Sequence, residues 1–161
     1  MPSLRAWKCT GRFNVVVRNP VLNLIELYEL DETAWLEEMA RLAALGHRNQ
    51  LDLPNLSEYL TDMAKRERRE VLSRLTILLV HLLKWEYRLD RRSKSWEATI
   101  RIQRRELQQL LESAVSRAHA DSELQRAYEW AVEDAMSETD LGREVFPEVC
   151  PFALASALGE E

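Results

Sequence analysis

The sequence predicts an all-α protein, a single-domain helical bundle of about five helices built around a central antiparallel αα-hairpin. The chain of 161 residues has only four glycines and five prolines. Most of these lie near the ends or in short connections, which leaves long stretches rich in Ala, Leu, Glu and Arg. Within residues 71–111, two apolar patterns of helical period flank a polar turn, and this arrangement indicates the hairpin.

Residues 1–26 are predicted to form an N-terminal arm, and residues 27–161 the helical domain. The first 25 residues carry four bases and no acid, without a sustained helical period. A basic leader of this kind resembles a transit peptide in composition. An upstream extension, or a segment that docks on a neighbouring subunit, is the interpretation that we favour.

Two helices are predicted before the hairpin. Asp31 caps the first and Gly46 stops it, while Asn55 caps the second with Glu58 at the capping-box position.

A break is expected where the second helix approaches the hairpin. All six residues from 65 to 70 are charged, and a single helix over residues 55–88 would span about 50 Å. Because a compact domain of this length has a radius of gyration near 15 Å, we expect a break or bend between Ala64 and Glu70.

The two arms of the hairpin set a predicted register. With a turn at residues 89–92 and equal rise on both arms, facing residues have numbers that sum to about 181. Trp85 is therefore expected beside Trp96. Three residues of the second arm are expected near His81: Thr99, Ile100 and Gln103.

The remaining elements follow from cap residues. The second arm begins at Ser93 or Ser95 and fades after Glu112, and residues 113–120 are ambiguous between helix and loop. Asp121 or Ser122 then caps a helix that ends at Leu141 and Gly142. Pro151 lies where the first turn of a final helix to Leu158 would favour it.

Charge is strongly segregated along the chain. Residues 1–25 carry +4, residues 65–106 carry +7 and the remainder carries −16, for a net charge of −5. The hairpin is therefore basic within an acidic protein. We expect its bases to pair with acidic helices of the same chain or of a second subunit, and the alternative is contact with nucleic-acid phosphates.

Several function classes lack support. Cys9 and Cys150 have no Cys or His neighbours at metal-ligand spacing, so we expect no metal and no cofactor. The apolar run Ile77–Val80 is far shorter than the ~20 residues of a membrane span, so no transmembrane helix is expected. The chain shows no apolar core of a signal peptide, and we expect a reducing cytoplasm.

A polar and aromatic cluster on the hairpin is the first candidate site. Histidine can transfer protons near neutral pH, and tryptophan with arginine can hold a flat or anionic ligand. A structural role is the favoured alternative, in which the two indoles pack together and the polar groups are hydrogen-bonded. The cluster comprises His81, Trp85, Arg92, Trp96, Thr99 and Gln103.

Cys150 is a candidate reactive thiol. It precedes Pro151 at an expected helix N-terminus, where the helix dipole lowers a thiol pKa. The favoured alternative is a small buried residue that packs the tail.

The hairpin residues resemble the bacterial family catalogued as domain of unknown function 29. The resemblance covers residues 27–158 and implies an all-helical single-domain protein with no established activity. Two departures are visible: Glu32 and Thr33 stand where the family often has an aromatic residue, and residues 119–124 replace a Pro-Ser-Leu run. The resemblance is carried by His81-Leu82-Leu83-Lys84-Trp85, Arg91-Arg92, Ser95-Trp96, Thr99-Ile100 and Gln103-Arg104, with support from Leu27-Tyr28, Asp31, Trp35, Leu51-Asp52, Asn55-Leu56, Glu58, Glu67-Arg68, Glu138-Thr139, Phe146-Pro147 and Cys150-Pro151.

Three functions remain open. The leading hypothesis is a non-enzymatic, cytoplasmic protein that forms a homodimer through Trp7 and Phe13 of the arm and contacts another macromolecule. The first alternative is a nucleic-acid-associated factor that uses the basic hairpin. The second is an enzyme or small-ligand binder that uses His81, Trp85 and Trp96.

Overall fold

The computed structural model describes residues 23–160, and regular structure in this range is helical, without a strand. This confirms the all-α class. The predicted arm lies almost wholly outside the described residues. The range contains seven α-helices, more than the five expected: α1 (Leu24–Leu30), α2 (Glu32–Ala44), α3 (Leu53–Tyr87), α4 (Lys94–Leu110), α5 (Ala114–Ser122), α6 (Leu124–Thr139) and α7 (Leu154–Leu158).

The described chain forms two compact units that divide within α3, after Glu58. In the first unit, Asp31 ends α1 and caps α2, and its carboxylate accepts a hydrogen bond from the backbone N–H of Ala34 at 3.0 Å. Gly46 follows the end of α2 with a φ of +73°, a conformation that glycine adopts without steric cost. Both predicted boundaries of α2 are therefore confirmed.

The start of α3 depends on Asp52. Its carboxylate accepts hydrogen bonds from the backbone N–H of Asn55 at 3.4 Å and from the side-chain amide of Asn55 at 2.7 Å. The indole N–H of Trp35 also donates to Asp52, at 3.3 Å. The prediction that Asn55 is the cap is wrong, because α3 already begins at Leu53 and Pro54 is tolerated in its first turn, where a backbone N–H has no helical partner.

α3 is continuous for 35 residues, so the predicted break between Ala64 and Glu70 is absent. The charged residues there are all exposed, and no glycine or proline follows Pro54 in the helix. Ion pairs at helical spacing join Lys65 to Asp62 at 3.0 Å and Arg74 to Glu70 at 2.9 Å. A radius of gyration does not limit the length of a single helix, and the exposed side chains of residues 65–70 need no partner from the core.

The hairpin of α3 and α4 lies in the second unit. A 3₁₀ turn, Leu89–Arg91, joins the two helices, and the hydroxyl of Ser93 caps α4 by accepting a hydrogen bond from the N–H of Trp96 at 3.3 Å. The predicted turn and the first of the two proposed caps are confirmed. The largest fully buried side chains of this unit include Leu75, Leu78, Leu79, Leu83, Leu107, Tyr128 and Leu158.

The segment after the hairpin differs from its prediction. Ser113 caps α5, with its hydroxyl accepting a hydrogen bond from the N–H of Ser116 at 3.0 Å, so the ambiguous segment is a helix. α6 begins at Leu124 without a side-chain cap, so the prediction of Asp121 or Ser122 as its cap is wrong. Both residues instead lie in the last turn of α5.

α7 begins at Leu154, three residues later than predicted from Pro151. The helix is short, and two side chains of α4 bind its C-terminal carbonyl groups. Arg104 donates to the carbonyl of Ala157 at 2.9 Å and Gln108 to that of Leu158 at 3.3 Å. Because these groups have no helical partner, α4 stabilises the end of α7.

Candidate interaction surface

Lys84 is the buried cation of the hairpin. Its side chain is 6% exposed and forms an ion pair with Glu138 of α6, whose side chain is 48% exposed. The Lys84 ammonium group also lies 4.6 Å from the centre of the Trp96 ring. Lys84 thus connects three helices by an ion pair and a cation–π contact.

The contacts across the hairpin agree with the predicted register. Lys84 with Trp96, and Arg74 with Glu106 at 3.9 Å, both have numbers that sum to 180, close to the predicted sum of about 181. Lys84 lies against Trp96, and the described residues show no ring contact between Trp85 and Trp96, so the predicted packing of the two indoles is not found.

Trp85 is covered by Arg92 instead. The Arg92 guanidinium carbon lies 4.8 Å from the centre of the Trp85 ring, and its Nε donates to the Trp85 carbonyl at 2.7 Å. Arg92 lies in the segment that connects α3 to α4, and it thus contacts both the side chain and the main chain of the last turn of α3.

The other members of the predicted cluster make mostly local hydrogen bonds. Nδ1 of His81 lies 2.9 Å from the Ile77 carbonyl of the same helix, and the hydroxyl of Thr99 donates to the Ser95 carbonyl at 3.0 Å. Oε1 of Gln103 is buried and has no hydrogen-bond partner among the described residues. The prediction of a hydrogen-bonded polar group therefore holds for His81 and fails for Oε1 of Gln103.

Arg88 adds a second link between the hairpin and α6 that the sequence did not indicate. Its guanidinium donates to the backbone carbonyl of Thr139 and to the carboxylate of Asp90, the latter at 3.2 Å. The hydrogen bond from Arg88 lowers the pKa of Asp90.

Cys150 lies before α7 and outside its first turn. Burial raises the pKa of its thiol, and the thiol donates a hydrogen bond to the Phe152 carbonyl at 3.4 Å. The prediction of a lowered pKa is wrong because the helix begins four residues later, too far for its dipole to act on the sulfur. The alternative was a small buried residue that packs the tail; Cys150 is partly buried and packs against the core.

An open groove lies between α3 and α6, with a volume of about 430 Å³. We name it the α3/α6 groove. Trp130 and Ile77 are 40% and 38% exposed, and Glu133 and Asp134 form an acidic edge with no ion pair to a described residue. Arg126 stacks on Trp130 with its guanidinium carbon 4.8 Å from the ring centre. The lining residues are Arg69, Leu72, Ser73, Thr76, Ile77, Trp130, Glu133 and Asp134.

The α3/α6 groove was not predicted from the sequence, although the position of Trp130 on its helix indicates a contact surface. Trp130 lies off the small-residue face of α6, between Glu129 and the buried Ala131. A large aromatic residue outside the apolar face of a helix often marks a contact surface.

The basic side chains of the hairpin are neutralised less than expected. Among the described residues, Lys65 and Lys84 are the two bases of residues 65–106 that pair with carboxylates outside that segment, namely Asp62 and Glu138. Seven bases of the segment have no ion pair in the described part of the chain: Arg66, Arg68, Arg69, Arg92, Lys94, Arg101 and Arg104. Pairing with acidic helices of the same chain is therefore found for two bases, and pairing with a second subunit stays a prediction.

Among residues 23–160, no group of three or more His, Cys, Asp or Glu side chains lies close enough to hold a metal ion. No helix in that range is both long and apolar enough to cross a membrane.

Residues 27–161 match the family described as domain of unknown function DUF29, and the chain belongs to that family. This confirms the resemblance seen in the hairpin residues. The search of curated proteins returned no match. The search of solved structures likewise returned none.

Proposed function

We propose that this protein is a non-enzymatic helical protein that associates with itself and works by contacting another macromolecule. The α3/α6 groove is the observation that carries the proposal. It exposes Trp130 and Ile77 beside two carboxylates, Glu133 and Asp134, that have no ion pair with a described residue. An aromatic residue in an apolar depression with a charged edge is the usual composition of a protein contact.

The contacts of the hairpin support a structural role for its polar side chains. Lys84 forms an ion pair with α6 and Arg88 a hydrogen bond with it, while Arg92 covers Trp85. The ring of His81 has a main-chain partner on its own helix. These groups are used to hold helices together, which favours binding through the outer surface.

Light scattering on the full chain at ~100 μM tests self-association, because a dimer of micromolar affinity is then mostly assembled. We expect the mass of a dimer. The double variant Trp130→Gln and Ile77→Gln should shift the mass towards that of a monomer. Val149→Gln is a matched control, because Val149 is 71% exposed and lies outside the groove. A monomeric wild-type chain would contradict the proposal.

Contact with a second macromolecule is tested by comparing captured proteins from the native cell. A partner that binds the wild type and the Val149→Gln control, but not the groove variant, supports the proposal. Equal capture by all three proteins would remove the groove from the partner site. The homodimer, the bacterial origin and the cytoplasmic location are parts of the same proposal, and they rest on the sequence arguments given above.

Nucleic-acid binding is a second candidate, favoured by the seven bases that have no ion pair with a described residue. Arg66, Arg68 and Arg69 are exposed within one turn of α3, and Arg101 is exposed on α4. Clustered unpaired arginines are what phosphate contacts require.

A further inference from the structure

The α3/α6 groove has a chemistry that selects its occupant. Leu72 and Ile77 provide apolar surface, and Trp130 offers an aromatic ring with one cation, Arg126, already stacked on it. Glu133 and Asp134 lie one turn after Trp130 on α6, and they outnumber Arg69 of α3, the one base among the lining residues. The groove is therefore suited to an apolar segment that carries its own positive charges.

This chain contains such a segment outside the described residues. Residues 1–22 carry four bases and no acid, together with apolar residues that include Trp7, Phe13 and Val15–Val17. A segment of 22 residues can extend roughly 70 Å, which is long enough to reach a second molecule. Its charge is opposite to that of the groove edge.

We propose that the α3/α6 groove of one molecule binds residues 1–22 of a second copy of the chain. The inference rests on the proposed self-association and names the two surfaces that produce it. Bases of the segment pair with Glu133 and Asp134, and its aromatic and branched side chains cover Ile77 and Trp130. The apolar contact supplies affinity and the charges supply orientation.

The test is photo-crosslinking in the full chain. A Cys150→Ser background leaves Cys9, within the segment, as the one thiol to carry a benzophenone label. Labelled chains of natural isotope content are mixed with unlabelled ¹⁵N chains, and crosslinked peptides are identified by mass spectrometry. We expect links from Cys9 to residues 69–77 or 130–134 of the other isotopic chain. Links that map elsewhere, or that join positions of one chain alone, would overturn the inference.

Charge exchange provides a second readout that does not depend on one variant folding well. Reversal at the groove, Glu133→Lys with Asp134→Lys, should lower the crosslink yield by about fivefold or more. Reversal in the segment, Arg12→Glu with Arg18→Glu, should do the same, and the combination should recover most of the yield. The matched control Glu112→Lys with Glu148→Lys changes net charge equally at exposed positions outside the groove. Failure of the combination to recover the yield would count against the pairing.

Failure of this inference can be distinguished from failure of the proposed function. A dimer by light scattering with crosslinks outside the groove would leave self-association in place and reject this pair of surfaces. A monomer would reject both.

Discussion

Lys84 and Glu138 form an ion pair whose two ends differ in exposure, and this asymmetry has energetic consequences. The ammonium group is buried between helices, whereas the carboxylate remains about half exposed to water. Loss of the carboxylate leaves a desolvated charge inside the protein. Loss of the ammonium group leaves a carboxylate that water can hydrate.

We therefore predict unequal costs for the two single substitutions. Glu138→Ala should lower the free energy of unfolding by about 2–4 kcal/mol, because Lys84 then keeps the Trp96 contact alone. Lys84→Met should cost less than about 1 kcal/mol, since methionine fills a similar volume without a charge. Denaturant midpoints at constant slope measure both. Equal losses would show that the ammonium group is hydrated in the folded protein.

The Cys150 thiol is predicted to react slowly. In a Cys9→Ser background at pH 8, alkylation of the folded protein should be about tenfold slower than that of the unfolded chain, because burial raises the pKa and limits access. Because the folded-state pKa of this thiol lies above the unfolded value, its contribution to the free energy of unfolding is fully present below the unfolded pKa. That contribution is lost as pH rises from the unfolded pKa through the folded pKa, so stability should decline above about pH 8.5. The Cys9→Ser, Cys150→Ala variant should lack that part of the decline, and a rate equal to that of the unfolded chain would show an accessible thiolate.

At the level of residues, the sequence indicated which side chains belong to the hairpin but not which ones meet. The ammonium group of Lys84 lies over Trp96, where Trp85 was expected. Binary patterning cannot detect this, because Lys84 stands between two large apolar residues and its burial depends on Glu138, far away in the chain.

Helix boundaries follow local chemistry where a short polar side chain caps a free end. Asp31 and Ser93 were found in this way, and Gly46 through its need for a positive φ. The start of α6 could not be found, because no side chain caps it and α5 runs almost directly into it. The start of α3 was misplaced because Asp52 also binds Trp35, a contact that depends on tertiary structure.

The continuity of α3 predicts a specific response to glycine. Arg66 is exposed and lies in the middle of the charged segment. Arg66→Gly should cost about 1 kcal/mol, while the control Arg66→Ala should cost close to zero, because helix propensity is the main difference between them at such a site. Equilibrium unfolding in urea compares the two variants. A glycine cost near zero would indicate that the helix is interrupted there in solution.

At the level of the whole molecule, the protein has a net charge of −5, whereas seven bases of residues 65–106 have no ion pair with a described residue. We predict that the free protein binds duplex DNA and single-stranded RNA at about 0.15 M salt no more tightly than a Kd of ~10⁻⁴ to 10⁻⁶ M, because its acidic surfaces repel phosphates. Titration at several salt concentrations measures this. Tighter binding with a steep salt dependence, removed by reversing Arg66, Arg68 and Arg69, would make nucleic-acid binding the leading function.

The placement of α7 also constrains how the chain can be made. The core that contains Leu75 is completed by three residues of α7, about 80 residues later in the sequence: Leu154, Ala157 and Leu158. At a synthesis rate of about 5–20 residues per second, Leu75 is made roughly 4 to 16 s before the residues of α7. In this interval α4 and α6, which contribute to the same core, can already cover much of α3, so we expect only the surface that α7 covers to stay open to water until Leu158 has been made.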